Sequence, residues 1–141
     1  MEVKKLDLNQ HLSRFKSFVS ELKNDTENIH FRYFYSRDLY VVLNHTVTFI
    51  IEYNDKIVGY AHLEFEEKYW FGIYINPRFR GMGLGSILWS KIKNYCISNN
   101  IDRIHLTVDN DNMTAINMYK GIGFSVVHVK ELYTEFRCEI I

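Results

Sequence analysis

The chain has few of the residues that break or staple structure. Its 141 residues include one proline, Pro77, and two cysteines, Cys96 and Cys138, set far apart. Two isolated cysteines form no CxxC pair and no disulfide framework, which argues against a stapled secreted miniprotein and leads us to expect a reduced, cytoplasmic setting. Net charge is also missing, with 17 Lys+Arg against 17 Asp+Glu. Without a basic surplus or a polybasic run there is no electrostatic footprint for nucleic acid or for a lipid surface. Long hydrophobic runs are absent as well. The apolar stretches Val47–Ile51 and Trp70–Ile75 fall well short of the roughly 20 residues a spanning helix needs. The segment Met1–Asp7 reaches an acid before any apolar run and does not read as a signal peptide. Linkers, repeats and low-complexity tracts are lacking too, so a single domain over residues 1–141 is expected.

What is present is concentrated. Five of the seven glycines fall in two clusters, Gly81/Gly83/Gly85 and Gly121/Gly123, and the lone proline stands just before the first. Around them the hydrophobic pattern predicts elements. A short strand is expected over Val3–Leu8, and helical spacing of Leu12, Phe15, Phe18, Val19 and Leu22 marks a helix over His11–Lys23. The aromatic-dense Phe31–Tyr35 suits a short helix or an ordered loop. Three strands follow, Thr46–Tyr53, Lys56–Phe65 and Tyr69–Asn76, with Asn54-Asp55 and Glu66-Glu67-Lys68 as turns. A helix over Ser86–Ser98, a strand over Arg103–Val108, a short helix over Met113–Lys120 and two closing strands, Phe124–Lys130 and Glu135–Ile141, complete the order. A mixed sheet with helices packed on it is the expected α/β (α+β) architecture.

The run Arg78-Phe79-Arg80-Gly81-Met82-Gly83-Leu84-Gly85-Ser86 lies between a strand and an amphipathic helix. Glycines there let backbone N–H groups face a ligand, and the following helix start adds unpaired N–H groups and a positive dipole end. Arg78 and Arg80 add full charges, so the loop suits a phosphate or pyrophosphate. It is not a P-loop, which would end in Gly-Lys-Ser/Thr, and its GxGxG spacing is not the dinucleotide GxGxxG. Other constellations fail on spacing. Asp109-Asn110-Asp111-Asn112 begins like a calcium loop but places Met113 at the next ligand position. The six histidines show no metal-binding spacing, so no metal is expected. Cys96 lies on an apolar stripe and reads as a small buried hydrophobe rather than a nucleophile.

Arg78-x-x-Gly81-x-Gly83 resembles the coenzyme A pyrophosphate motif of the GNAT (Gcn5-related) N-acetyltransferases. Asn112, Ala115, Tyr119, Gly123 and Phe124 follow that family's downstream N-x-x-A-x-x-x-Y-x-x-x-G-F pattern. The resemblance implies a central, mostly antiparallel sheet of 6–7 strands with a splay, flanked by about four helices. It implies acetyl-CoA as co-substrate, held by Arg78, Arg80, Gly81, Met82, Gly83, Leu84, Gly85 and Ser86. Backbone groups of Phe71, Gly72 and Ile73 are then expected against the pantetheine, with Asn112 near the cofactor and Tyr119 protonating the leaving thiolate. Gly72 offers a mid-strand weakness where the splay could open.

Direct attack by an amine on a thioester needs no protein nucleophile, but it needs a base. Tyr60, His62, Glu64 and Glu66 share one face of their strand, which makes His62 or Glu64 the candidate base, directly or through water, with Glu67 a further candidate. The face is equally readable as merely wet. The acceptor segment implied by the resemblance is 28–40 followed by Asn44-His45, whose aromatics, Arg and His suit a sugar, base or phosphate-bearing ligand. The expected partner is therefore a small-molecule amine, first an amino sugar or a nucleotide-linked one, with a homodimer left open. A protein N-terminal amine as acceptor, or a CoA-binding module without catalysis, are the rival readings.

Overall fold

The computed structural model describes residues 1–25 and 30–141. The chain runs β1 (Glu2–Lys5), α1 (Leu8–Lys23), a 3-10 turn (Leu39–Asn44), β2 (Val47–Tyr53), β3 (Lys56–Glu66), β4 (Lys68–Ile75), a second 3-10 turn (Pro77–Phe79), α2 (Leu84–Ser98), β5 (Arg103–Asp109), α3 (Met113–Gly121), β6 (Ser125–Val129) and β7 (Tyr133–Glu139). The seven strands form one sheet in the order β1-β2-β3-β4-β5-β7-β6. This is the mixed architecture expected from the sequence.

Local chemistry sets the boundaries. The first strand stops early because Asp7 accepts a hydrogen bond from Asn9 N and caps α1, so the helix begins at Leu8 rather than His11. The β2–β3 hairpin turns on Asn54 and Asp55 at φ 50° and 61°, values that these two short polar side chains tolerate. Pro77 opens a 3-10 turn behind Asn76, whose side chain accepts from Arg78 N. The segment 31–44 forms turns and the first 3-10 helix, capped by Asp38 through Tyr40 N.

Both faces of the sheet are covered. One cluster gathers Ala61, Leu63 and Phe71 with Leu88 and Ile92 of α2 and Ile116 of α3. The other packs Phe15, Phe18 and Leu22 of α1, with Phe34, on Ile50, Ile57, Tyr60 and Tyr74. Burying one such large apolar side chain stabilises by roughly 1.5–3 kcal/mol. The second cluster corrects the reading of β3. Tyr60 is fully buried and His62 only 3% exposed, so that face is not wet along its length. Glu64 and Glu66, further along, reach the cleft.

The sheet is uneven at one place. β3 and β4 pair from Gly59 with Ile75 to Glu66 with Lys68, and β5 pairs with β7 along seven positions. Between β4 and β5 the parallel pairing is confined to Trp70 with His105. Beyond that pair the strands part, which is the expected splay.

Candidate active site

A cleft of about 1000 Å³ opens where β4 and β5 separate. Phe71, Gly72, Ile73, Tyr74 and Ile75 line one wall, and Leu106, Thr107, Val108 and Asp109 the other. β4 is committed to β3 on one side only, so the main-chain groups on its β5 side are available to an extended ligand. Gly72 does not weaken the pairing of β4 with β3. It remains paired with His62, and a Cβ there would lie 2.5 Å from His62 Cε1. The glycine makes room for an imidazole.

That imidazole is locked. Tyr60 Oη bonds His62 Nδ1, and the ring stacks on His45 with centroids 4.2 Å apart. We therefore expect Gly72→Ala to cost about 1–3 kcal/mol, as overpacking of a fixed core group does. Thermal melts should show Tm falling by several degrees. In a Gly72→Ala/His62→Ala double variant the cost of adding the Gly72 methyl should largely vanish, and equal cost in both backgrounds would refute the steric account.

One end of the cleft is built for an anion. Gly81 and Gly83 adopt φ +76° and +80°, and a Cβ built on Gly81, Gly83 or Gly85 would meet nothing within 4 Å. Gly83 is the N-cap of α2 and offers no side-chain cap, so the first-turn N–H groups are left for a ligand. Arg80 lines this end, donating through Nε to Ile75 O at 3.0 Å and lying 3.6 Å from Asp25. Leu84 and Gly85 also line it. Arg78, Met82 and Ser86 are exposed and do not line the cleft, so the side chain of Arg78 is not brought to the anion end as expected.

At the middle, Asn112 caps α3 by accepting from Ala115 N, and Tyr119 of α3 faces the cleft against Phe124. Burial pushes the Tyr119 phenol up to about 12, so it stays protonated across the physiological range.

The other end holds Phe31, Arg32, Tyr33, Arg37, His62, Glu64 and Glu66. Asn28 and Ile29, at the start of the expected acceptor segment, lie outside the described residues. Tyr33 Oη donates to Glu64 Oε2 at 3.1 Å and meets His45 Nε2 at 2.7 Å. With its one proton on Glu64, the phenol accepts from His45 Nε2–H, and His45 Nδ1 accepts from Thr48 Oγ1 at 2.9 Å. Burial, aided by the Arg37 charge, lowers His45 to about 4 and holds it neutral. His62 is likewise held below its ordinary value, by burial, His45 and Arg37. Tyr33 is raised by burial and by the Glu64 charge. Glu67 sits in the β3–β4 turn at φ 66° and does not line the cleft.

Spacing along the sequence missed two gatherings of ligand-type groups. His45, His62 and Glu64 bring donor atoms within 4.8 Å of one another, as do His30, Asp109 and Asp111. In the first set, Tyr33, Thr48 and Tyr60 engage the same side chains. In the second, Asp109 takes two 2.8 Å bonds from Arg32 and one at 2.9 Å with His30, tying the segment after α1 to the end of β5. Those hydrogen bonds, led by Arg32, hold the Asp109 carboxyl below its usual range.

A profile of the acetyltransferase (GNAT) family matches residues 8–124. The chain belongs to the GNAT family. A GNAT acetyltransferase structure from Streptococcus pneumoniae superimposes with a TM-score of 0.79 at 16% identity, covering 99% of each chain. The PaiA N-acetyltransferase of Thermoplasma acidophilum, solved with coenzyme A, gives 0.78 at 15% identity over 98% of each chain. At these identities the likeness is one of fold. Among curated proteins, mouse thialysine N-epsilon-acetyltransferase is 29% identical over 90 residues, 59% of this chain and 53% of that protein. The matches thus span about half the length of such relatives. The GNAT chain described here has no helix, among its described residues, long and apolar enough to cross a membrane.

Proposed function

We propose that this chain transfers the acetyl group of acetyl-CoA to a small primary amine, by direct attack of the amine on the thioester. The observation that carries the reading is the parting of β4 from β5. It leaves one cleft with glycine N–H groups at one end, Tyr119 in the middle and Glu64 at the other. In this reading the pyrophosphate rests on the main chain of Gly81, Gly83, Leu84 and Gly85, where the first turn of α2 opens. The pantetheine lies along Phe71, Gly72 and Ile73, whose main chain orients the thioester. Glu64 takes the proton from the acceptor ammonium, directly or through water. His62 is almost fully buried, bonded to Tyr60 and held below its ordinary basicity by that burial, so it is a poorer base than its position suggests. Tyr119 donates a hydrogen bond to the sulfur as negative charge develops on it.

The amino sugar expected from the sequence is one member of the acceptor class. The likeness to thialysine acetyltransferases adds the side-chain amine of an amino acid. Release of free CoA thiol, measured over a panel of amino sugars, amino acids and polyamines, tests the reading. Turnover with at least one small amine is expected, and no thiol release with any of them would overturn it. Tyr119→Phe should lower kcat about 10- to 100-fold while the acetyl-CoA Kd stays within about twofold. Wild-type kcat in that variant would remove Tyr119 from the chemistry.

A further inference from the structure

We infer that the amine acceptor also carries an anionic group, a carboxylate or a phosphate, and that Arg37 is the residue that binds it; this rests on the acetyltransferase reading above. Three arginines line the cleft, Arg32, Arg37 and Arg80. Two of them are committed to carboxylates of the chain. Arg32 makes a two-pronged pair with Asp109, and Arg80 lies beside Asp25 while donating to Ile75 O. Arg37 differs. Its guanidinium lies 4.4 Å over the Tyr33 ring and donates one bond, 3.0 Å, to Tyr33 O. Among the described residues no carboxylate lies within 4.0 Å of it. A planar guanidinium held flat by a ring and one carbonyl keeps further N–H donors pointing outward in the fork that fits a carboxylate or phosphate.

The same tyrosine carries the opposite charge at its tip, because Tyr33 Oη donates to Glu64. Arg37, over the face of Tyr33, and Glu64, at its hydroxyl, are thus set by one tyrosine, with Glu66 also on the cleft wall. The Arg37 charge is felt inside the site, since it helps hold His45 and His62 neutral. An occupant complementary to both ends has an amine toward Glu64 and an anion toward Arg37. A plain diamine would set its second ammonium against the guanidinium, and an unmodified amino sugar would leave the fork unfilled. The class that fits includes amino acids with a side-chain amine and phosphorylated amino sugars.

Calorimetric titration of the CoA-saturated protein with matched pairs tests this. One pair is thialysine and its decarboxylated counterpart, bis(2-aminoethyl) sulfide; the other is glucosamine 6-phosphate and glucosamine. In at least one pair the anionic member should bind roughly tenfold or more tighter, as a charge-assisted bond supplies. That preference should shrink to within about twofold in Arg37→Gln and return in part in Arg37→Lys. The pair that shows it tells carboxylate from phosphate. No preference in either pair, or a preference that survives Arg37→Gln, overturns the inference. Thiol release on the same compounds is scored separately. Preferential binding without transfer would retain the anion subsite and reject the acetyltransferase reading, and transfer without preference would do the reverse.

Discussion

We expect Gly83→Glu to abolish the rise in melting temperature that saturating acetyl-CoA should give the wild-type protein. Gly83 sits at φ +80° as the cap of α2, with open space in front of the position a Cβ would take. A side chain there projects into the proposed pyrophosphate seat, and a glutamate adds like charge beside a doubly negative group. At a ligand concentration about 100 times Kd, binding stabilises by about 2.7 kcal/mol. For a domain of this size that corresponds to a Tm rise of roughly 5–10 °C. In the variant the rise should fall below about 1 °C. The left-handed backbone at a non-glycine residue costs on the order of 1–3 kcal/mol by itself, so the ligand-free Tm drops by several degrees without loss of cooperative melting. A variant that melts cooperatively and still gains the full ligand shift would show that the glycine loop is not the cofactor seat.

The second large effect concerns Glu64. Glu64→Gln keeps an oxygen for the Tyr33 hydroxyl, so the hydrogen bond at 3.1 Å can persist and the Tyr33–His45–Thr48 chain with it. What is lost is the capacity to accept a proton. We expect kcat to fall about 100- to 1000-fold at neutral pH, within the range for removal of a general base. The acetyl-CoA KM should stay within about twofold. A wild-type rate with an unchanged pH profile would mean that water, or another group, carries the proton away. His45 does not line the cleft, and His62 is almost fully buried with its Nδ1 held by Tyr60, so neither is placed to substitute for the carboxylate.

Local features of the site were legible in the sequence because they depend on neighbours in the chain. Gly81, Gly83 and Gly85 are recognisable by spacing, and the strand before and helix after them follow from hydrophobic period. Asn112 caps the short helix that carries Tyr119 seven residues on, so a single pattern finds both. The β3 face was half legible. Alternation says that Tyr60, His62, Glu64 and Glu66 point the same way, but not that α1 and the 31–44 segment lie over the first two. That cover depends on packing by Phe15, Phe18 and Phe34, set by the folded sheet rather than by local sequence. Asp109 read only as the start of an incomplete calcium-loop pattern, since nothing local reveals Arg32 as its partner 77 positions away. Gly72 was seen as a weak point in a strand, when the reason for it is the imidazole across the ladder.

The confinement of the β4–β5 ladder to one pair of residues has a mechanical consequence. The sheet consists of two half-sheets, β1 to β4 and β5 to β7-β6, whose strand ladder is joined at the seam, among the described residues, by the pairing of Trp70 with His105. Unpaired strand rims usually recruit other chains. Here the two rims face each other inside the molecule, where only something slender can enter. In the proposed function that slender body is the cofactor's amide-bearing arm, which acts as a borrowed strand and closes the seam. Catalysis and structural completion then draw on the same ladder of hydrogen bonds. On that reading the supply of cofactor around the protein would set not only its rate but how firmly its two halves are held together.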